Sequence, residues 1–178
     1  NFINVAYGEY MALGAYFTFF LNTQMGLSFW VGLPGGLVLT AVAVAGIEKV
    51  FFRPFSEREP IVLLIVSIGV AFILRSVIRI VWTTSVRRYD VPTGEGSVTE
   101  LFRLFPNQVG ILIISVVMMV LIYLLLQRTS IGIAMRAVSN NTNLAQLRGI
   151  NTDRIVLYVV LIGGGAAGLA GAMLGLDS

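Results

Sequence analysis

Cysteine and histidine are both absent from this sequence. That removes disulfides, thiol nucleophiles and the usual zinc ligand sets. With histidine goes the commonest acid–base group near neutral pH. Charge is scarce as well: Asp, Glu, Lys and Arg make up 12% of the residues, with a net charge of +3, where soluble domains carry about 25% charged residues. No basic stripe with interleaved aromatics occurs, which argues against a nucleic-acid partner. No G-x-x-x-x-G-K-[ST] phosphate loop occurs either. No secretory signal pattern is visible.

What is present is apolar. Hydrophobic residues reach 57% of the chain, and the mean hydropathy is +0.88. A water-facing surface built from that composition would not stay dispersed, so lipid is the expected solvent. The chain starts at Asn1 rather than Met and stops at Asp177-Ser178 directly after an apolar run. Both ends read as cuts through a longer polypeptide.

A membrane span needs roughly 20 mainly apolar residues, because a helix in hydrocarbon must satisfy its own backbone. Tyr10 to Ile47 carries no charge and is long enough for two spans, broken at Asn22-Thr23-Gln24-Met25-Gly26, with Pro34-Gly35-Gly36 suiting the start of the second. The expected architecture is all-α: a polytopic transmembrane bundle with spans near 8–23, 32–50, 61–82, 109–127 and 155–176, forming one domain over 1–178. A short charged loop bounded by Pro54 and Pro60 separates the second and third spans. Ser97-Val98-Thr99-Glu100 has capping-box spacing, and a short interfacial helix is expected over 97–105.

With five spans the loops alternate sides. Lys49, Arg53, Arg58, Arg128, Arg136, Arg148 and Arg154 fall on one side. Arg87, Arg88 and Arg103 fall on the other, joined by Arg75 and Arg79 if these snorkel outward. The imbalance places 49–60 and 128–154 in the cytoplasm.

The loop 128–154 is the most informative stretch. Asn141 is suited to cap a helix and Gly149 to end it in the left-handed conformation. Leu144 and Leu147 fall on one face between them. Asn151 then caps the last span, with Asp153 in its first turn. The pattern predicts a very short helix over 142–148. Such a helix is not stable alone and needs a surface to dock on, either its own bundle or a partner.

Several of these stretches resemble a known family. Asn143-Leu144-Ala145 followed by Gly149 resembles the EAA-x3-G loop of ABC importer permeases. Three further blocks are similar to branched-chain amino acid permeases of the LivH type: Asn4-Val5-Ala6-Tyr7-Gly8-Glu9-Tyr10-Met11-Ala12-Leu13-Gly14, Glu48-Lys49-Val50-Phe51-Phe52-Arg53-Pro54, and Arg128-Thr129-Ser130-Ile131-Gly132-Ile133-Ala134-Met135-Arg136-Ala137. Gly149-Ile150-Asn151-Thr152-Asp153-Arg154 continues the last. The chain departs from the triplet at its first two positions, where Asn143 stands for Glu and Leu144 for Ala.

The resemblance implies a multi-pass permease of the cytoplasmic (inner) membrane of a prokaryote. Its partners would be a second, homologous permease subunit, two cytoplasmic ATPase subunits and an extracytoplasmic substrate-binding protein. ATP and magnesium would bind to the ATPases, leaving this chain without cofactor, metal or catalytic residues. It also implies that Arg136, Asn140, Asn143, Leu144, Ala145, Leu147, Gly149 and Asn151 belong to the loop that couples the permease to the ATPase.

Other residues stay open between roles. Glu9, with Gly8 beside it, is either part of the translocation path or an ordinary helix-end charge at headgroup level. Arg75 and Arg79, four apart on one face, either snorkel or contact substrate carboxylates. Lys49 and Arg53 serve as membrane anchors or at the ATPase interface. Gly164, Gly168, Gly171 and Gly175 form two GxxxG spacings that let another helix approach, within this chain or in a partner. A passive channel or secondary carrier is the alternative from composition alone, although it would call for ionisable residues in mid-span. An intramembrane enzyme is disfavoured by the missing histidine, cysteine and paired carboxylates.

Overall fold

A backbone in hydrocarbon has no water to bond, so long apolar runs become helices. The computed structural model describes residues 4–56, 58–82, 89 and 106–177, and among these no strand occurs. Helix α1 (Tyr7–Phe19) runs on through a π-helical turn, Phe20–Gln24. Helix α2 (Phe29–Ile47) continues through a π-helical turn, Glu48–Phe52, and a 3-10 turn, Arg53–Phe55. Then follow α3 (Pro60–Trp82), α4 (Pro106–Arg128), α5 (Ser130–Asn140), α6 (Thr142–Leu147) and α7 (Thr152–Asp177).

Four stretches are long and apolar enough to cross a bilayer: Phe29–Phe55, Pro60–Trp82, Gln108–Arg128 and Thr152–Leu176. They correspond to the expected spans 32–50, 61–82, 109–127 and 155–176. The segment expected as a first span, 8–23, is helical but is not among the four. It is short, carries Glu9 in its first turn, and closes on the polar Asn22, Thr23 and Gln24. The interfacial helix expected over 97–105 lies outside the described residues.

One boundary differs from the sequence reading. The second span starts at Phe29, not at 32, and Pro34 sits inside α2. Proline lacks the N–H that would bond the carbonyl four residues back, so by itself it signals a start. Tertiary packing overrides that signal, because Gly32 and Gly36 bring α2 against α1 on both sides of the proline.

The chain divides into two compact units, Asn1–Pro92 with Val160–Ser178, and Thr93–Val159. In the first, Ala6, Tyr10, Val44, Phe52, Leu63, Val70 and Ala167 form a buried core. Helices α1 and α3 run in the same direction. The Val5 amide meets Ser67, Glu9 meets Arg75, and Tyr16 stacks near Trp82 with ring centres 5.2 Å apart. Helix α1 therefore begins level with Ser67, about 10 Å along α3 from Pro60 at about 1.5 Å per residue.

The first amides of a helix have no partner within it, and at this depth they need one. Val5 N–H donates to Ser67 Oγ at 3.1 Å, and Ala6 N–H donates to Asn4 Oδ1 at 2.9 Å. Ser67, fully buried, donates its own hydroxyl hydrogen bond to the Leu64 carbonyl at 2.7 Å.

Glycines set the spacing of α1, α2 and the 160–177 part of α7. A Cβ on Gly14 would overlap the Gly168 backbone, one on Gly36 would overlap the Thr18 hydroxyl, and one on Gly171 would overlap the Met11 carbonyl. Tyr89 adds a stopper. Its hydroxyl donates to the Ala15 carbonyl at 2.9 Å, and its ring packs 5.1 Å from that of Phe29. Burial pushes the Tyr89 hydroxyl pKa well above its ordinary value.

In the second unit, α4 turns sharply into α5 at Thr129. The Thr129 hydroxyl donates to the Leu125 carbonyl at 2.5 Å and accepts from Gly132 N–H at 3.1 Å, so one side chain closes α4 and opens α5. A Cβ on Gly132 would strike the carbonyls of Leu125 and Leu126, which restricts that corner to glycine.

Candidate functional site

Two features gather polar side chains where an apolar chain has few. The first is the stretch 128–154, expected to hold one helix and found to hold two. Helix α5 was missed, although Thr129 as a cap and Ile131, Met135 and Val138 at helical spacing were available as its signal.

Helix α6 is closed at both ends. Asn141 Oδ1 accepts from Leu144 N–H at 3.0 Å. At the other end Gly149 has a φ of +82°. Its N–H bonds the Gln146 carbonyl at 2.9 Å, and Ile150 N–H bonds the Ala145 carbonyl at 3.1 Å. These two bonds form a Schellman motif, which needs a left-handed residue at Gly149. Asn151 then caps α7, its Oδ1 accepting from Arg154 N–H at 3.1 Å, with Asp153 in the first turn. Gln146 Nε2 donates to Thr152 Oγ1 at 3.0 Å and ties α6 to the start of α7.

The faces of α6 differ sharply. Ala145 is buried at 4% exposure, whereas Leu144 is 55% and Leu147 84% exposed. Asn140, Asn143 and Asn151 are exposed. Arg136 is exposed, and its Nη1 donates to Gln127 Oε1 at 2.9 Å, across the α4–α5 corner. The short helix is therefore seated by one small residue and presents two leucines outward.

The second feature is an ion pair between α1 and α3. Arg75 Nε and Nη2 both donate to Glu9 Oε1, at 2.9 and 2.6 Å. Glu9 is 12% exposed and Arg75 53%. Arg75 is thus held by Glu9 rather than extended toward the end of its helix. In the sequence the two residues stood as separate candidates. Their pairing has no local signal, since 66 positions separate them. A Cβ on Gly8 would meet nothing within 4 Å, so that position itself is open. Arg79 is exposed one turn further along α3.

The four C-terminal glycines all face groups of the first unit. Gly164 lies against Val44, Gly168 against Thr40 and Gly14, Gly171 against Met11 and Gly175 against Tyr89. Lys49 and Arg53 are exposed at the end of the second span.

Helices long and apolar enough to cross a bilayer, joined by capped polar loops, define a multi-pass helical membrane protein. The profile of one family, described as branched-chain amino acid transport system / permease component, matches residues 1–178. The chain belongs to that family. It is 29% identical to the high-affinity branched-chain amino acid transport system permease protein LivH of Escherichia coli, over 97% of this chain and 60% of that protein. Against the probable branched-chain amino acid transport permease protein LivH of Methanocaldococcus jannaschii it is 31% identical, over 98% of this chain and 57% of that one. Against the permease protein BraD of Pseudomonas aeruginosa it is 24% identical, over 98% and 61%. The chain spans about 60% of the length of these curated relatives. No solved structure matches it.

Proposed function

We propose that this chain is the membrane-spanning permease part of an ABC importer that moves branched-chain or related amino acids across the cytoplasmic membrane of a prokaryote. Family membership and the names of the relatives support the class of transport. Urea, amides or another small polar solute is the second substrate reading, because the selecting binding protein is a separate chain. In this proposal the chain is a transport subunit and not an enzyme. It works with a second permease subunit, two ATPase subunits that bind ATP and magnesium, and an extracytoplasmic binding protein. The segment 7–24 acts as the first of five spans in one permease domain.

The observation that carries the reading is helix α6. A six-residue helix has no stability of its own, yet both its ends are closed by side-chain and backbone caps, and Leu147 stands 84% exposed. A rigid, capped helix with two outward leucines is built to press into an apolar groove on a partner. ATP-driven closure of the ATPases would displace α6, and the chain joins it directly to α5 on one side and α7 on the other. Two membrane conformations of different affinity would then alternate access.

The test uses the full-length protein with its ATPase and binding protein. Leu147→Asp is expected to abolish co-purification of the ATPase and substrate uptake while leaving the permease monodisperse in detergent. Ala145→Asp, which burdens the seated side of α6, is expected to do the same with loss of the helix itself. Unchanged association and uptake in both variants overturns the assignment.

A further inference from the structure

Helix α3 carries one continuous exposed face. Ile61, Ile65, Ile68, Phe72, Arg75 and Arg79 follow at helical spacing, and all are exposed. The first four are apolar and suit any apolar neighbour. Arg75 does not. It stands about 22 Å along α3 from Pro60 and about 10 Å short of Trp82. Side chains on a helix tilt toward its N-terminus, and Arg75 is further held by Glu9, so the guanidinium lies within the span and not at its end. Hydrocarbon cannot solvate a half-exposed guanidinium, so an arginine at this depth faces water or a polar ligand.

The pair is also incompletely used. Both Arg75 contacts converge on Glu9 Oε1. Among the described residues, Glu9 Oε2 and Arg75 Nη1 have no partner. Among the described residues, each member of the pair therefore keeps one polar atom without a partner. Phe72 and Ile68 lie one and two turns before Arg75 on the same face.

Resting on the reading of this chain as an amino acid permease, we infer that Glu9 and Arg75 form a grip for the zwitterionic head of an α-amino acid in the translocation path. Glu9 Oε2 accepts from the substrate ammonium, and Arg75 Nη1 donates to its carboxylate. The aliphatic substrate side chain lies along Phe72 and Ile68. The existing ion pair keeps both groups oriented while the site is empty, so binding adds two hydrogen bonds without ordering either side chain anew. A molecule with only one of the two charges leaves the other group of the pair unserved in a poorly solvated place, which is how such a site rejects it.

The experiment uses the complete wild-type permease–ATPase assembly in lipid nanodiscs, without the binding protein, and reads ligand-dependent thermal stabilisation. Leucine is expected to raise the midpoint. Isocaproate, which lacks the ammonium, and isoamylamine, which lacks the carboxylate, are expected to leave it unchanged. The double variant Glu9→Gln/Arg75→Gln keeps a neutral hydrogen-bonded pair, and is expected to bind leucine at least about tenfold more weakly, the loss associated with one charge-assisted hydrogen bond. Equal stabilisation by isocaproate or isoamylamine, or none by leucine, overturns the assignment without need of any variant. So does a double variant that retains wild-type leucine binding. Leucine uptake by wild-type vesicles supplied with the binding protein separates the two levels. Absence of all amino acid uptake removes the functional reading, whereas normal uptake beside a failed grip removes this inference alone.

Discussion

Within the unit of 1–92 and 160–178, helices touch through what is missing from their side chains. Within 93–159, helices turn corners on the hydrogen bonds that side chains add, with Gly132 giving the room for one of them. In the first unit Gly14, Gly36, Gly168 and Gly171 remove the Cβ atoms that would hold α1, α2 and α7 apart. In the second, Thr129 and Asn141 supply hydrogen bonds that end one helix and begin the next, and Gly149 closes the last turn of α6. Solvent explains the difference. Lipid tails are as apolar as leucine, so helices in a bilayer gain little from burying large apolar groups and gain more from close backbone approach. At a polar loop the cost lies in unsatisfied helix ends, and caps remove it.

This contrast can be broken at its strongest point first. Gly171→Val places a branched side chain on the Met11 carbonyl. It is expected to cost about 3 kcal/mol, the upper range for overpacking, and to show as a lowered thermal midpoint in detergent. An unchanged midpoint would mean that α1 and α7 are not in close contact. A smaller loss is expected from Gly149→Ala, because the φ of +82° is disfavoured for any residue with a Cβ. Roughly 1–2 kcal/mol is expected, confined to faster hydrogen exchange in 142–150, with the global midpoint unmoved. The smallest effect sharpens the comparison. Gly46 lies in α2, and a methyl group there would meet nothing within 4 Å, so Gly46→Ala is expected to be neutral or to stabilise by up to about 1 kcal/mol through helix propensity. Destabilisation there would show that small size matters at every glycine of the first unit, and not only at the crossings.

Much of the second unit was legible in the sequence because its determinants are local. Asn141, Gly149 and Asn151 act on amides and carbonyls within five residues of themselves, and all three were recognised as caps. Helix α5 is less legible for a different reason: the Thr129 cap and the Ile131, Met135, Val138 period lie in a polar, basic stretch between two spans, whose composition is that of a loop. In the first unit the GxxxG spacing of α7 was visible, but not what would face it, since a small residue announces only that something approaches. Pro34 shows the opposite failure. A strong local start signal lost to packing on both of its sides.

The sequence by itself determined that this chain is helical, apolar enough to cross a membrane several times, and equipped with a capped helix in a polar loop. Periodicity, length and caps act over a few residues, and they suffice for that. Only the tertiary structure decided that Glu9 and Arg75 form an ion pair, that Tyr89 from a polar loop closes on Ala15, and that Gly168 meets Gly14 and Thr40. These contacts join residues more than 60 positions apart, and no local pattern encodes which distant partner a charge, a hydroxyl or a missing side chain will meet.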